Sequence, residues 1–350
     1  MGDKCYVQIL NWNGWRNTLE CLESVFRLRY PSFQVVVCDN NSADGSLNQI
    51  VHWAEGRLDV DAGAVNNDLA HMVIPPIKKP VPFAVYDRVQ AENGGGMDKD
   101  EGRLILIQTN ANLGFAGGNN VGLRYIMRRA DYSHVWLLNN DTVVDPGALD
   151  EMARRASEKE GCGICGSTVM HYHQPGKVQA LGGATYNRLL ARPRLITSAM
   201  AAEAASGAEY VERRMGYVYG ASMLVTRGML EDVGLMSEEY FLYFEELDWI
   251  RRAAGKYTMA YAESSIVYHK GGESIGTSSD IETRSFISDY YFTRNRLLFT
   301  RNYYPLLIPF IYLVLISDVF RRILKRQPER AMMITALLWG KDDFYGRQDW

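Results

Sequence analysis

Cysteine is scarce in this chain: five residues in 350, at positions 5, 21, 38, 162 and 165. The odd number and diffuse spacing exclude a disulfide framework. Cys162 and Cys165 form one CxxC, and no second pair completes a four-thiolate zinc site, so burial is the expectation for both. An excess of positive charge is also lacking. The 38 Lys and Arg face 41 Asp and Glu, a net charge of −3, which argues against nucleic acid as a partner. The amino terminus, MGDKCYVQILNWNGW, has no basic segment followed by an apolar stretch, so no signal peptide is expected. Two nucleotide-binding fingerprints are missing as well. GFAGGNN, from Gly114, is not GxGxxG, and no GxxxxGK[ST] occurs, which leaves a nicotinamide or P-loop enzyme unsupported.

Long apolar runs are absent with one exception. Residues 303–317 read YYPLLIPFIYLVLIS, without charge. The run is shorter than the roughly 17–25 apolar residues of a spanning helix. It contains Pro305 and Pro309, ends at Asp318, and is followed by Arg321, Arg322, Lys325 and Arg326. Residues 284–330 hold nine Lys or Arg and three Asp or Glu, a net of +6, which leaves −9 for the rest of the chain. This split favours a segment lying on an anionic membrane surface over a single span or a helix buried beneath a basic surface.

What is present suits a folded α/β protein. With 47% hydrophobic residues, 12 Phe, 7 Trp and 21 Tyr, the chain can fill one large core or two modest ones. Strands are expected at 6–10, 33–38, 104–108 and 135–138, and helices at 18–28, 121–129 and 146–158, the last capped by Asp145. Residues 57–103 break the rhythm, with PPIKKPVP at 75–82 and an exposed loop at 92–102. Beyond Gly161 shorter strands and loops are expected, with a strand at 220–226, a short helix at 227–233 and strands at 257–262 and 265–268. The remainder reads as mainly helical.

Parallel α/β sheets bind ligands at the carboxyl ends of their strands. Three polar clusters fall at such ends: Asp39 with its DNNSADGS loop, NANLGFAGGNN at 110–120, and Asn139-Asn140-Asp141. Asp141 offers a hard oxygen ligand and Asn139 an amide, which suits magnesium or manganese carrying phosphate. A second acidic cluster, Glu245, Glu246 and Asp248, follows the aromatic run 240–244. If it opens a helix, Glu245 and Asp248 share a face and Glu246 turns away. A desolvated carboxylate there can act as a general base. His269, ending a strand before Lys270, is a further candidate ligand.

The order of these clusters resembles the inverting glycosyltransferase family 2, with the GT-A fold, and within it the rhamnosyltransferase-like branch. The resembling pieces are VQILNWNGWRNTLECLESV, YPSFQVVVCDNNSADGS, NLGFAGGNNVGL, VWLLNNDTVVDP and FLYFEELDWIRRAAGKY through VYHKGG, spanning residues 5 to about 272. The resemblance implies a Rossmann-like, mostly parallel nucleotide-binding sheet over 1–145, a mixed acceptor-side region over 146–283, and a helical region over 284–350. It implies that Asp39 contacts the base or ribose of a nucleotide-sugar donor, with Asn11 and Asn41 near the same pocket and Asn119 lining it. Asp141 would be the last position of the metal-holding DXD element, with Asn139 where many members carry Asp, and His269 a metal or pyrophosphate contact. Glu246 would be the catalytic base, here Glu in an Asp position, with Asp248 as second candidate. The cofactor implied is Mn2+ or Mg2+.

The function implied is transfer of a sugar, with dTDP-rhamnose or a UDP-sugar as donor, to a glycan or lipid-linked glycan in cell-surface polysaccharide synthesis. The expected placement is at the cytoplasmic face of the inner membrane, with oligomerisation left open. The alternatives are a nucleotidyltransferase acting on sugar phosphates, a non-catalytic nucleotide-sugar-binding relative, and a scaffold in a membrane-bound synthesis complex.

Overall fold

The computed structural model describes residues 4–96, 102–202, 207–271 and 285–341. Part of the loop expected at 92–102 lies outside these, as does Gly272. In chain order, β1 (Cys5–Asn11), α1 (Trp15–Val25), β2 (Phe33–Asp39) and α2 (Ser46–Ala54) are followed by β3 (Phe83–Asp87), α3 (Arg88–Glu92) and β4 (Leu104–Gln108). Next come α4 (Gly114–Arg129), β5 (His134–Asn139), β6 (Thr142–Val144) and α5 (Ala148–Glu158). The second half adds β7 (Cys162–His171), β8 (Gln174–Leu181), β9 (Gly183–Asn187) and β10 (Arg192–Leu195). Short helices α6 (Ser198–Ala202) and α7 (Ala208–Arg214) lead to β11 (Tyr217–Val218), β12 (Ser222–Thr226), α8 (Arg227–Val233), α9 (Glu245–Ala253) and β13 (Thr258–His269). Three helices follow: α10 (Phe286–Tyr303), α11 (Ile308–Leu324) and α12 (Pro328–Leu338).

The large sheet runs β3-β4-β2-β1-β5-β12-β7-β13-β6, with β8 paired to β7. Its first five strands are parallel. β12 runs against both β5 and β7, so β7 and its parallel neighbour β13 point the same way as β1. The carboxyl ends of β1, β2, β5 and β13 therefore share one edge with the amino end of β12. This is the expected α/β architecture, a mostly parallel nucleotide-type sheet extended by mixed strands. Alternate residues of β1 enter opposite cores: Cys5, Val7 and Ile9 pack towards α1, α2 and α5, while Tyr6 joins α4 residues such as Tyr125. Burial on both faces explains why these strands read as nearly continuous apolar runs.

One element differs in kind from the expectation. The glycine-rich stretch 110–120 is only partly a turn, because α4 begins at Gly114 and runs through GFAGGNN. Glycine here serves close packing. A Cβ at Gly118 would lie 2.6 Å from Leu10 Cδ1, and one at Gly122 would lie 2.7 Å from Gln8 Oε1 and 2.8 Å from Cys38 Sγ. The helix thus rides directly on β1 and β2. Replacing Gly122 by Ala should destabilise the fold by about 1–3 kcal/mol through overpacking, measurable as a lower urea midpoint. Smaller differences follow from local chemistry. Asp145 Oδ1 accepts from Gly147 N at 2.8 Å in a turn ahead of α5, which starts at Ala148. The two strands expected at 257–268 are one, β13, with an irregularity between Ala262 and Ile266. β3 was hidden by the proline-rich segment before it.

The apolar run 303–317 is divided between the last residue of α10, a turn and α11, and both of its prolines sit where a helical element begins. Pro305 opens a short 3-10 turn and Pro309 sits in the first turn of α11, where a missing N–H costs nothing. Two buried ion clusters fasten this helical region. Asp318 accepts from Arg192 Nη2 at 2.9 Å and from Arg296 Nη1 at 3.0 Å. Asp289 accepts from Arg322 at 2.6 Å and Arg330 at 2.8 Å.

Candidate active site

The carboxyl edge of the sheet carries two polar networks. In the first, Asp39, at the end of β2, is buried. Its Oδ1 accepts from Asn11 Nδ2 at 2.7 Å and from Ser42 Oγ at 2.6 Å. Asn11 Oδ1 in turn accepts from Thr18 Oγ1 at 2.8 Å and Asn140 Nδ2 at 3.2 Å. Asp39 and Asn11 are thus brought together as expected. Asn41 is exposed in a left-handed turn (φ 60°). Its neighbour Asn40 lines the cavity and braces the next loop, donating to Asn112 Oδ1 at 2.9 Å and accepting from Leu113 N at 3.0 Å. Asn119 is buried in α4, where Gln8 Nε2 donates to its Oδ1 at 2.9 Å and its own Nδ2 donates to Phe115 O.

The second network joins Asn139, Asp141 and His269. His269 Nε2 lies 3.2 Å from Asp141 Oδ1, and Asn139 Nδ2 lies 3.4 Å from the same Nε2. On the far side of the ring, Nδ1 meets Gln179 Oε1 at 2.9 Å. In the neutral tautomer whose Nδ1–H donates to Gln179 Oε1, the Nε2 lone pair faces Asp141. A lone pair and a carboxylate oxygen facing each other form a donor set for a cation. Among the described residues no third carboxylate, imidazole or thiolate completes a cluster. Gln179 was not anticipated; it arrives from β8, a strand whose position is purely tertiary. Lys270 follows, donating to Glu20 Oε2 at 2.6 Å and Asn17 Oδ1 at 2.8 Å.

The acidic cluster opens α9, as the spacing implies. Glu245 and Asp248 are buried on one face and Glu246 turns into the cavity. The approach is strained: Phe241, Tyr243 and Phe244 adopt left-handed backbone at φ 59°, 69° and 75°, which costs of order 1–3 kcal/mol each for non-glycine residues. Asn295 of α10 holds it, its Nδ2 lying 2.7, 2.8 and 2.9 Å from the carbonyls of Tyr240, Leu242 and Tyr243. Gly220 makes room for Glu246, since a Cβ there would collide with Glu246 Oε1. Asp248 is occupied elsewhere, accepting from Tyr303 Oη at 2.6 Å and Arg252 Nε at 2.8 Å.

The two adjacent glutamates are driven apart in acidity. Loss of solvation lifts Glu246 to about 7. Glu245 is pushed well above the usual carboxylate range, first by burial and then by the charge of Glu246. Glu245 is therefore the neutral member and Glu246 the one that ionises near neutrality. Tyr219 links the two sites: its phenol is raised first by desolvation, then by Asp141 and by Glu246.

All of this borders one cavity of about 1440 Å³, lined by Trp12, Asn139, Asp141, Tyr219, Glu246 and His269 among others. Asn11, Asp39, Asn119 and Asp248 stand behind its wall. Sequence reasoning missed Trp12, Tyr219 and Gly220. Of these only Trp12, in the NWN at the end of β1, had a local signal.

Residues 98–286 match the family described as Glycosyltransferase like family 2. Over 150 residues the chain is 24% identical to the low-salt glycan biosynthesis hexosyltransferase Agl10 of Haloferax volcanii, covering 43% of this chain and 46% of that protein. The chain thus spans about half the length of the curated relative it matches. Among solved structures, the mannosyltransferase PcManGT from Pyrobaculum calidifontis, in complex with GDP-Man and Mn2+, superposes with a TM-score of 0.51 at 10% identity. That match covers 96% of this chain and 87% of the other. GalNAc-T7 with UDP, GalNAc and Mn2+ also gives 0.51 at 10% identity, over 83% of this chain and 47% of that one. These likenesses place the sheet in the GT-A fold; none singles out a rhamnosyltransferase-like branch.

Proposed function

We propose that this chain, which belongs to the glycosyltransferase-like family 2, transfers a sugar with inversion from a nucleotide-diphosphate sugar to a hydroxyl of a glycan or lipid-linked glycan. The observation that carries the reading is the pairing, in one cavity, of the Asp141–His269 donor set with a carboxylate that ionises near neutrality. The named relatives bound to GDP-Man or UDP with Mn2+ support a nucleotide-sugar donor. A UDP-sugar and dTDP-rhamnose both fit the proposal.

In this reading Asp39 and Asn11, supported by Asn119 and neighboured by Asn41, shape the nucleotide side. Asp141 and His269, with Asn139 beside them, would hold Mn2+ or Mg2+, which when bound neutralises charge on the departing diphosphate. Glu246 takes the proton of the acceptor hydroxyl. The acceptor oxygen forms a bond to the anomeric carbon as the bond to the diphosphate oxygen breaks, and that oxygen leaves with the electron pair. One displacement from the opposite face inverts the configuration. Asp248, with both oxygens engaged, serves as a positioning residue that fastens α9 to α10.

Incubation with a panel of nucleotide sugars, with and without manganese, tests the reading. Release of nucleoside diphosphate supports it; release of pyrophosphate from a sugar phosphate and a nucleoside triphosphate would instead indicate a nucleotidyltransferase. The acidity of Glu246 adds a pH prediction. Since the ionised form is the base, kcat/KM should rise with pH up to about 7 and level off above it. A flat profile between about pH 5 and 8 would contradict the assignment. Stability has the opposite sign. Both glutamates hold protons in the fold that the unfolded chain releases, so their contribution is greatest below the usual carboxylate range and falls as pH rises towards 7.

A further inference from the structure

Large exposed apolar side chains are not spread over the molecule. Among the described residues, nine of thirteen lie between Leu306 and Trp339, and two more, Leu189 and Leu190, sit at the turn between β9 and β10. α11 accounts for most of them. Its inward positions are Ile311, Leu315, Asp318 and Arg322. Its outward positions Phe310, Leu313, Phe320 and Leu324 are 56%, 65%, 63% and 84% exposed. The helix is therefore apolar on the side away from the protein, while its inward side mixes Ile311 and Leu315 with the buried charges of Asp318 and Arg322. A contiguous apolar stripe of this kind marks an interaction surface rather than ordinary solvent exposure.

We propose that the outward face of α11, with Leu306 and the β9–β10 turn, docks onto an anionic lipid bilayer. Three observations select this occupant. First, α11 has 17 residues, and no helix among those described is long and apolar enough to cross a membrane. The stripe therefore suits lying in the interface rather than spanning it. Second, exposed cationic side chains border the stripe at Arg321, Lys325 and Arg326, while Asp318, the one acid of α11, is buried onto Arg192 and Arg296 and lies 3.4 Å from Arg321. Third, a second copy seated symmetrically on this face would bring like charges, Arg321, Lys325 and Arg326 of each copy, together, while anionic headgroups complement the charge.

The β9–β10 turn belongs to the same surface. Arg296 Nη2 of α10 donates to Leu190 O at 2.9 Å, and Arg192 is paired to Asp318 of α11. The cavity shares these supports, since Pro193 and Arg194 of β10 and Ile287 and Phe292 of α10 line it. A bilayer held on α11 is thus coupled through two packed elements to the walls of the site.

The test is co-sedimentation of the full chain with phosphatidylcholine vesicles, with and without about one-third phosphatidylglycerol, at about 0.1 M salt. The protein should pellet with the anionic vesicles and remain in the supernatant with the neutral ones. The double variant Leu313→Glu, Phe320→Glu should lose about tenfold or more of the affinity while keeping its circular dichroism. If that variant does not fold, Lys325→Glu, Arg326→Glu provides the second arm and should weaken anionic-vesicle binding alone. Failure of the unmodified chain to bind anionic vesicles, or equal binding by the folded variants, would overturn the proposal. So would a shift from dimer to monomer in the variants without change in vesicle binding, which would assign the face to a second copy. The readout needs no turnover, so its failure and that of the glycosyl-transfer reading are distinguishable.

Discussion

Replacing Glu246 by Gln should lower kcat for sugar transfer by about 10²- to 10⁴-fold, the range a positioned general base contributes. Donor affinity should stay within about threefold, because the change removes a group used in the transition state and leaves uniform binding intact. The amide keeps the shape of the side chain in the space that Gly220 leaves for it. The matching control is Glu245→Gln. Glu245 is already held neutral by burial and by its neighbour, so an uncharged isostere should retain activity within about tenfold. Equal losses in the two variants, measured by steady-state transfer and by donor titration, would remove the distinction between base and buried neighbour.

The second large effect is expected at Asp141. Asp141→Ala removes the carboxylate that faces His269 Nε2 at 3.2 Å, and with it the anionic half of the proposed metal site. Turnover should fall by about 10²- to 10³-fold, a loss typical of removing electrostatic stabilisation of a leaving group. Here, unlike at Glu246, binding should fail together with chemistry. Calorimetric titration of nucleoside diphosphate should show manganese strengthening its binding to the unmodified protein and leaving binding to Asp141→Ala unchanged. Manganese-dependent binding that survives in the variant would exclude Asp141 as the ligand. Chelation of the unmodified protein should reproduce the loss and be reversed by added manganese.

The parallel half of the fold was legible because its strands, such as FQVVVC and LILIQ, are buried on both faces and each ends in a polar cluster. Asp39, Asp141 and Glu246 stood in such clusters or in an acidic triplet, each weak alone; the coincidence of the clusters at strand ends and their order along the chain made them candidates. The glycines of α4 were ambiguous: a turn and a close helix–sheet contact ask for the same residue, and only the distances to Leu10, Gln8 and Cys38 decide between them. Gln179 and Gly220 carried no local signal at all, since each acts through a neighbour 90 or 26 positions away, His269 or Glu246. The left-handed backbone at Phe241, Tyr243 and Phe244 runs against the preference of aromatic residues. It persists because Asn295, supplied by α10, holds three of the carbonyls around it. The helical region is thus part of what sets Glu246 in place, a connection that composition, which pointed only to the region's membrane-like character, did not reveal.

A single inverting displacement assisted by Glu246 is the proposed reaction. It is tested most directly by NMR of the first sugar product formed from a nucleotide sugar of known anomeric configuration, recorded before mutarotation. The opposite configuration at the anomeric carbon is expected, with one nucleoside diphosphate released per sugar transferred. Retention of configuration in the first product would contradict it.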